Sequence, residues 1–308
     1  MGVFDKKYSE IISEIIKDGV WDKDQNVRPK WADGTPAYTK SLICKQIVLD
    51  NSEVPILTTK KVAWKAAIHE LLWFYVKRTS DSTYLKENKV KIWDEWIRKD
   101  GTIGKAYGYQ LGKKIKNGYK KIFKIFKKYK YTNQVHKLID GLKKDPASRR
   151  HIISLWNIYD LWDMALYPCV WHCQVLVKQN KANLIVGIRS NDMGLGNPFN
   201  VFQYYVLLRM IAHVTGLEVG NLIFNINDCH IYERHIESLK MQITREDYEV
   251  PKLWINPEVK NFDDFTIDDF MLVNPKLTDE EIKKMTKEEA INNFYYKCHD
   301  SIKMEVAI

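Results

Sequence analysis

The stretch PFNVFQYYVLLRMIAHVT, from Pro198 to Thr215, is a long apolar helix with proline in its first turn, where a missing N–H costs least. It lies between two strand-like runs, ANLIVGIRS (182–190) and NLIFNIND (221–228). The other segments read as strands and helices in turn. SLICKQIVL (41–49), HIISLW (151–156) and WHCQVLVKQ (171–179) read as strands, the last turning through Gln179, Asn180 and Lys181 into the next run. Phe4, Tyr8, Ile11, Ile12 and Ile15 recur at helical spacing, and 62–76, about 81–88, 133–146 and 231–243 also read as helices. FDDFTIDDF (262–270) leads towards a final strand.

Two segments differ in composition from the rest. KKIKNGYKKIFKIFKKYK (113–130) is half lysine, with Tyr119, Ile122, Phe123, Phe126 and Tyr129 on one helical face, so it reads as a basic amphipathic helix. Residues 276–297 read as one polar, mixed-charge helix inserted before the tail SIKMEVAI. With no internal repeat and no linker-like stretch, 308 residues are expected to form a single domain, 1–308, carrying these two additions.

Composition narrows the function classes. No stretch has the length of a membrane span. The start, MGVFDKKYSEIISEII, lacks the features of a secretory signal, and Lys6 replaces the Ser or Thr of a myristoylation motif, so a cytoplasmic location is expected. Five cysteines, an odd number, read as free thiols. A formal net charge of +9 suits an anionic ligand or nucleic acid, or is simply a lysine-rich background.

Several motifs carry chemistry. HELLW (69–73) lacks the second histidine of a zinc-protease HExxH helix, but leaves Glu70 in an apolar helix, where burial suits a carboxyl to proton work. GLGNPFN lacks the third glycine of a dinucleotide loop, while RSNDMGLGNPFN (189–200) is dense in groups that suit a phosphate and a flat polar ring. Cys169, His172 and Cys173 in YPCVWHC have spacing that a structural zinc site permits. Strand alternation, however, sends Cys169 and His172 to opposite faces, and no second close pair exists, so no metal is expected. The adjacent arginines of SRRH (148–151), with Arg28 and Arg189 in loop-like contexts, make a phosphate pocket credible.

Taken in order, NSEVPILTTKKVAW, IHELLWF, IWDEW, GKAYGYQ, DPASRRHI, YPCV, RSNDMGLGNPFN, TGLEVGNLIFNINDCHIYERHIE and the terminal VAI resemble the folate-dependent thymidylate synthases. WADGTPAYT and SNDM give the variant of Bacillus and its phages. The resemblance implies an α/β (α+β) chain in a three-layer fold, a large mixed sheet flanked by helices, with a sheet face forming a homodimer interface. It also implies reductive methylation of dUMP, with 5,10-methylenetetrahydrofolate as cosubstrate. Cys169 would attack carbon 6 of the uracil as a thiolate, its pKa lowered by Arg189. Arg28, Arg189 and Ser190 would hold the phosphate, with Arg149 and Arg150 reaching across from the second subunit. Asn200 would read the uracil edge, and His230 and Tyr232 the deoxyribose hydroxyl. Glu70 and Tyr107 would organise water and protons, and Asp192 would join the catalytic groups. Lys60, Trp93, Asp192 and Ile308 would contact the folate, the tail closing over it.

This sequence departs from the family at Val170, where histidine is usual after the nucleophile, and in a longer loop around Arg28. A deoxyuridylate hydroxymethylase is the nearest alternative, with Trp93 and the VAI tail favouring methylation. An RNA-binding regulator on the same scaffold is the alternative from another class, suggested by the basic segment; attraction of a polyglutamate tail is that segment's blander role.

Overall fold

The computed structural model describes residues 2–121 and 127–308. Its strands are β1 (Val20–Trp21), β2 (Thr39–Leu49), β3 (Ile115–Lys121), β4 (Lys127–Thr132), β5 (Ile152–Ser154), β6 (Val170–Lys178), β7 (Lys181–Ile188), β8 (Asn191–Asp192), β9 (Glu218–Tyr232), β10 (Lys252–Ile255) and β11 (Phe270–Val273). Its α-helices are α1 (Val3–Asp18), α2 (Trp64–Leu71), α3 (Thr83–Glu87), α4 (Gly108–Gly112), α5 (Gln134–Lys144), α6 (Gly196–Thr215), α7 (Ile236–Gln242), α8 (Asp279–Lys284) and α9 (Lys287–Asn292).

The main sheet has the order β1-β2-β9-β7-β6-β5, with β8 beside β9. β7 and β8 run parallel to β9, and the other pairs are antiparallel, so the sheet is mixed. The β6–β7 turn puts Gln179 and Asn180 at φ of 50° and 61°, as a tight two-residue hairpin requires. Core residues alternate: Val175, Leu184, Val186, Leu222, Phe224 and Ile226 are buried on one face of the sheet. α6 packs on that face and α2 on α6, giving the three expected layers. α6 buries residues around its circumference, which explains why its sequence is apolar with little periodicity. The opposite face of the sheet is uncovered, with Ile43 74% and Ile152 51% exposed.

The described parts of the lysine-rich segment are not helical. β3 and β4 form an antiparallel ribbon, with Ile115 opposite Thr132 and Lys121 opposite Lys127. Gly118 sits at φ 96°, outside helical space, and Lys128-Tyr129-Lys130-Tyr131 alternates with the period of a strand. Ile122, Phe123 and Phe126 of the expected apolar face lie outside the described residues. The single polar helix expected over 276–297 is two short ones. Thr278 caps α8 and Thr286 caps α9, each in a reciprocal box with the glutamate three residues on (Glu281 and Glu289). Ile282, Met285 and Ala290 then cover Trp254 and Val273 of the β10–β11 ribbon.

One buried carboxylate fixes the N-terminal helix to the chain that enters the site. Asp5 accepts from the backbone N–H groups of Thr58 (3.0 Å) and Thr59 (3.3 Å) and from both hydroxyls. Burial pushes its pKa up, against the pull of those four bonds. Asp5→Ala strands two buried amides and should cost about 3 kcal/mol. Urea unfolding should show a lowered midpoint at unchanged slope; a midpoint equal to that of the parent would contradict this role.

Candidate active site

The sheet presents Cys169 at a place where its backbone is held from both sides. Cys169 directly precedes β6, and β7 pairs with β6 so that the N–H of Arg189 donates to the Cys169 carbonyl at 2.9 Å. The Cys169 N–H donates to the Tyr107 hydroxyl at 3.0 Å. The Arg189 side chain turns back along the same segment, donating to the carbonyls of Pro168 (3.0 Å) and Tyr167 (2.9 Å). Tyr107 is fixed in turn by stacking on Phe74 at 4.5 Å and by the edge of Trp93. Its φ of 38° is a strained conformation for a tyrosine, of the kind that gathers at functional sites. Burial pushes the Cys169 thiol pKa up, and Arg189 pulls it down, followed by Asp192 acting upwards and Arg28 downwards. The expected pull of Arg189 is therefore present, but desolvation outweighs it and the net shift is upward.

Glu70 stands at the end of α2, just before a π-helical turn, Leu72–Lys77. Its carboxyl is buried and accepts from the Trp93 indole N–H on one oxygen and the Gln203 amide on the other. Burial raises its pKa to about 7 despite both donors. Gln203 also donates to the Ala67 carbonyl at 3.2 Å, so α6 grips α2 on both sides of the acid.

The far wall is the C-terminal end of β9. His230 shares a proton with Asp228 through Nδ1 at 2.9 Å, and its buried Nε2 has no hydrogen-bond partner. Burial opposes a charge on His230, yet Asp228 leaves its pKa raised. Ser190 donates to the same carboxylate at 3.3 Å. Tyr232 meets His230 edge-on at 5.2 Å and Trp31 at 5.6 Å.

Two loops close the region. Asp192 accepts from the N–H groups of Gly194 (2.7 Å) and Leu195 (3.2 Å), shaping the turn into α6 that carries Asn200. Lys60 is buried beneath it with its ammonium on the Gly194 carbonyl, and burial lowers its pKa to about 8. The second loop carries the exposed Arg28, and the tail lies along it: Ile308 and Lys30 exchange backbone hydrogen bonds at 2.9 and 2.8 Å. Arg234 ties the two together, donating to Glu305 (2.9 Å) and Asp33 (2.6 Å) over the face of Trp31.

Arg149 and Arg150 are not part of this cluster. Both are exposed at the turn before β5, where the Arg149 carbonyl accepts from Gln174. Cys173 faces the core beside the Tyr75 hydroxyl, with burial pushing its thiol to about 12, whereas His172 packs over Gly187 on the other side of the sheet.

The thymidylate synthase family model matches residues 6–287. The chain belongs to the thymidylate synthase family. The thymidylate synthase of Bacillus mojavensis is 58% identical over 279 residues, 90% of this chain and 96% of its own. That of Bacillus phage phi3T is 57% identical over the same shares. The thermostable thymidylate synthase A of Bacillus subtilis superposes with a TM-score of 0.84 at 53% identity, over 99% of both chains. The expected kinship with Bacillus and its phages and the mixed α/β architecture are both borne out.

Within this thymidylate synthase frame the structure adds residues that motif reading passed over: Gln203, Asp228, Arg234 and Glu305. Gln203 lies three residues beyond Asn200 on α6, and Asp228 two before His230 on β9, so the periods of helix and strand could have found them. Arg234 and Glu305 meet only through the tail's path, which has no local signal.

The raised pKa of Glu70 has a sign that can be tested. The native state holds its proton more tightly than the unfolded chain between pH 4.5 and 7, so stability falls as pH rises across that window. Glu70→Gln removes this loss and should be more stable than the parent by about 2 kcal/mol at pH 8, with the advantage gone near pH 4.5. Urea unfolding at the two pH values measures it; a pH-independent difference would show that Glu70 is ionised throughout.

Proposed function

We propose that this chain methylates dUMP to dTMP with 5,10-methylenetetrahydrofolate, releasing dihydrofolate, and that Cys169 is its nucleophile. The observation that carries the reading is the clamped Cys169 backbone in the same buried region as a carboxyl titrating near 7. The folate supplies the one-carbon unit and the hydride that reduces it. The Cys169 sulfur, as thiolate, adds to uracil carbon 6 and moves the ring's π electrons towards carbon 5 and the carbonyl oxygen, making carbon 5 nucleophilic. Once carbon 5 has bonded the one-carbon unit, loss of the carbon 5 proton breaks the bond from that unit to the folate nitrogen, and hydride then delivered to the exocyclic carbon expels the sulfur as thiolate and restores the ring double bond. Glu70 and Tyr107 handle water and protons around the ring, and a carboxyl near pKa 7 serves both as acid and as base at neutral pH.

Recognition follows the same map. Arg28, Arg189 and Ser190 take the phosphate, Asn200 the uracil edge, and His230 with Tyr232 the deoxyribose hydroxyl. The unpartnered, buried Nε2 of His230 supports the last assignment, since a ligand hydroxyl would supply the missing partner. Trp93, Lys60, Asp192 and Ile308 border the folate, although Lys60 acts from beneath, through Gly194. The uncovered apolar sheet face supports a homodimer in which Arg149 and Arg150 serve the partner's phosphate site, being exposed and outside their own. One domain, 1–308, with the lysine-rich ribbon and the two short helices as additions, working in the cytoplasm, completes the proposal. Exposed Lys114 and Lys130 at the base of the ribbon favour weak RNA binding as a second property. No described helix is long and apolar enough to cross a membrane.

Cys169→Ser separates this chemistry from mere binding. The variant should still bind dUMP, lose at least about a thousandfold in turnover, and form no covalent adduct with 5-fluoro-dUMP by intact mass. Retained turnover or labelling would remove Cys169 from the mechanism.

A further inference from the structure

A lone asparagine cannot tell uracil from cytosine. Turned one way, its amide accepts from ring N3–H and donates to O4; turned over, it donates to N3 and accepts from the cytosine amino group. Selection therefore requires something that fixes which way the Asn200 amide faces.

Two buried asparagines stand behind it. Asn197, in the first turn of α6 and 0% exposed, donates through Nδ2 to Oδ1 of Asn191 at 2.6 Å. Asn191, 2% exposed on β8, donates through its own Nδ2 to Oδ1 of Asn200 at 3.4 Å. Gly196 lies beneath the junction: a Cβ there would stand 3.8 Å from Asn200 Oδ1 and 4.0 Å from Asn191 Nδ2. The chain of amides has a preferred direction. As it stands, the one atom left over is Asn197 Oδ1, a buried acceptor without a partner. Turning every amide over would put the Asn197 NH2 group in that place, and a stranded buried donor is rarer than an under-satisfied oxygen.

We infer that the Asn197–Asn191 pair is an amide relay that sets the orientation of Asn200 and so selects uracil over cytosine nucleotides. The relay leaves Asn200 Oδ1 a second lone pair for ring N3–H and its Nδ2 free to donate to O4, the pattern of uracil. Neither Asn191 nor Asn197 touches the base; both are positioning residues. The inference rests on the proposed reading of Asn200 as the pyrimidine contact.

The test is reversal rather than loss. Asp at 197 can only accept, so in Asn197→Asp the Asn191 amide must donate to it and show its oxygen to Asn200, which turns over in response. Equilibrium dissociation constants for dUMP and dCMP are measured on the parent, on Asn197→Asp and on Asn197→Leu, with thermal melting as the check on folding. The parent should prefer dUMP by about a hundredfold or more; Asn197→Asp should lower the dCMP-to-dUMP ratio at least about tenfold, towards or past equality, with Asn197→Leu between. If the aspartate variant does not fold, the leucine variant decides. Folded variants that keep the parent ratio overturn the relay while leaving the enzyme reading intact. A parent that binds neither nucleotide overturns that reading, and the relay with it.

Discussion

The carboxyl of Glu70 is buried, and the two donors that meet it come from 23 and 133 residues away in the chain. A buried acid of this kind persists only if both oxygens are satisfied, so its neighbourhood must be assembled with little tolerance. Trp93 is held edge-on against Trp73, Phe74 and Tyr107, and Tyr107 in turn accepts from the Cys169 N–H. Gln203 lies on α6, the helix that also carries Asn197 and Asn200. The acid, the thiol and Asn200 are thus joined through one packed unit. Its loss of stability on ionisation is the thermodynamic cost of keeping a proton available near neutral pH.

Around this rigid centre the closing parts are polar and close to solvent. The Arg28 loop and the C-terminal tail are held by two backbone hydrogen bonds, by Glu305 accepting from the Ala32 N–H and, through its carbonyl, pairing with His235, and by Arg234 between Asp33 and Glu305. These exposed ion pairs are individually weak, as suits elements that must let substrates in and then exclude water. Trp31, lying beneath the arginine, gives the loop a buried base. The contrast between a satisfied interior and a lightly fastened rim matches the two tasks of the site.

Much of this was legible in the sequence wherever periodicity and motif agreed. Phe4, Tyr8, Ile11, Ile12 and Ile15 are buried as their spacing required, and the apolar run of α6 is the buried middle layer. Glu70 stood out locally as a carboxyl in an apolar helix and Arg189 as an arginine in a loop, whereas Cys169, Tyr107, Asn200, His230 and Tyr232 drew their roles from the resemblance to the family and not from a local pattern. The lysine-rich stretch misled because its aromatics fit a helical face while Gly118 and the Lys-Tyr alternation fit a strand, and only the antiparallel partner decides. The thiol environment was legible only in part, for a different reason. Arg189 can be read from sequence as a neighbour, but desolvation depends on everything packed around Cys169 and leaves no local trace. The Arg234–Glu305 tie and the amide relay are likewise products of tertiary approach between segments with no shared signal.

The most direct measurement is the balance of products from purified protein, dUMP and methylenetetrahydrofolate. Nucleotide product identified by mass and dihydrofolate followed by absorbance should rise together, one dihydrofolate for each dTMP, because the closed site keeps water from the exocyclic carbon until hydride arrives. Hydroxymethyl-dUMP formed without dihydrofolate would show that the tail and Trp93 do not exclude water. It would make the chain a hydroxymethylase instead.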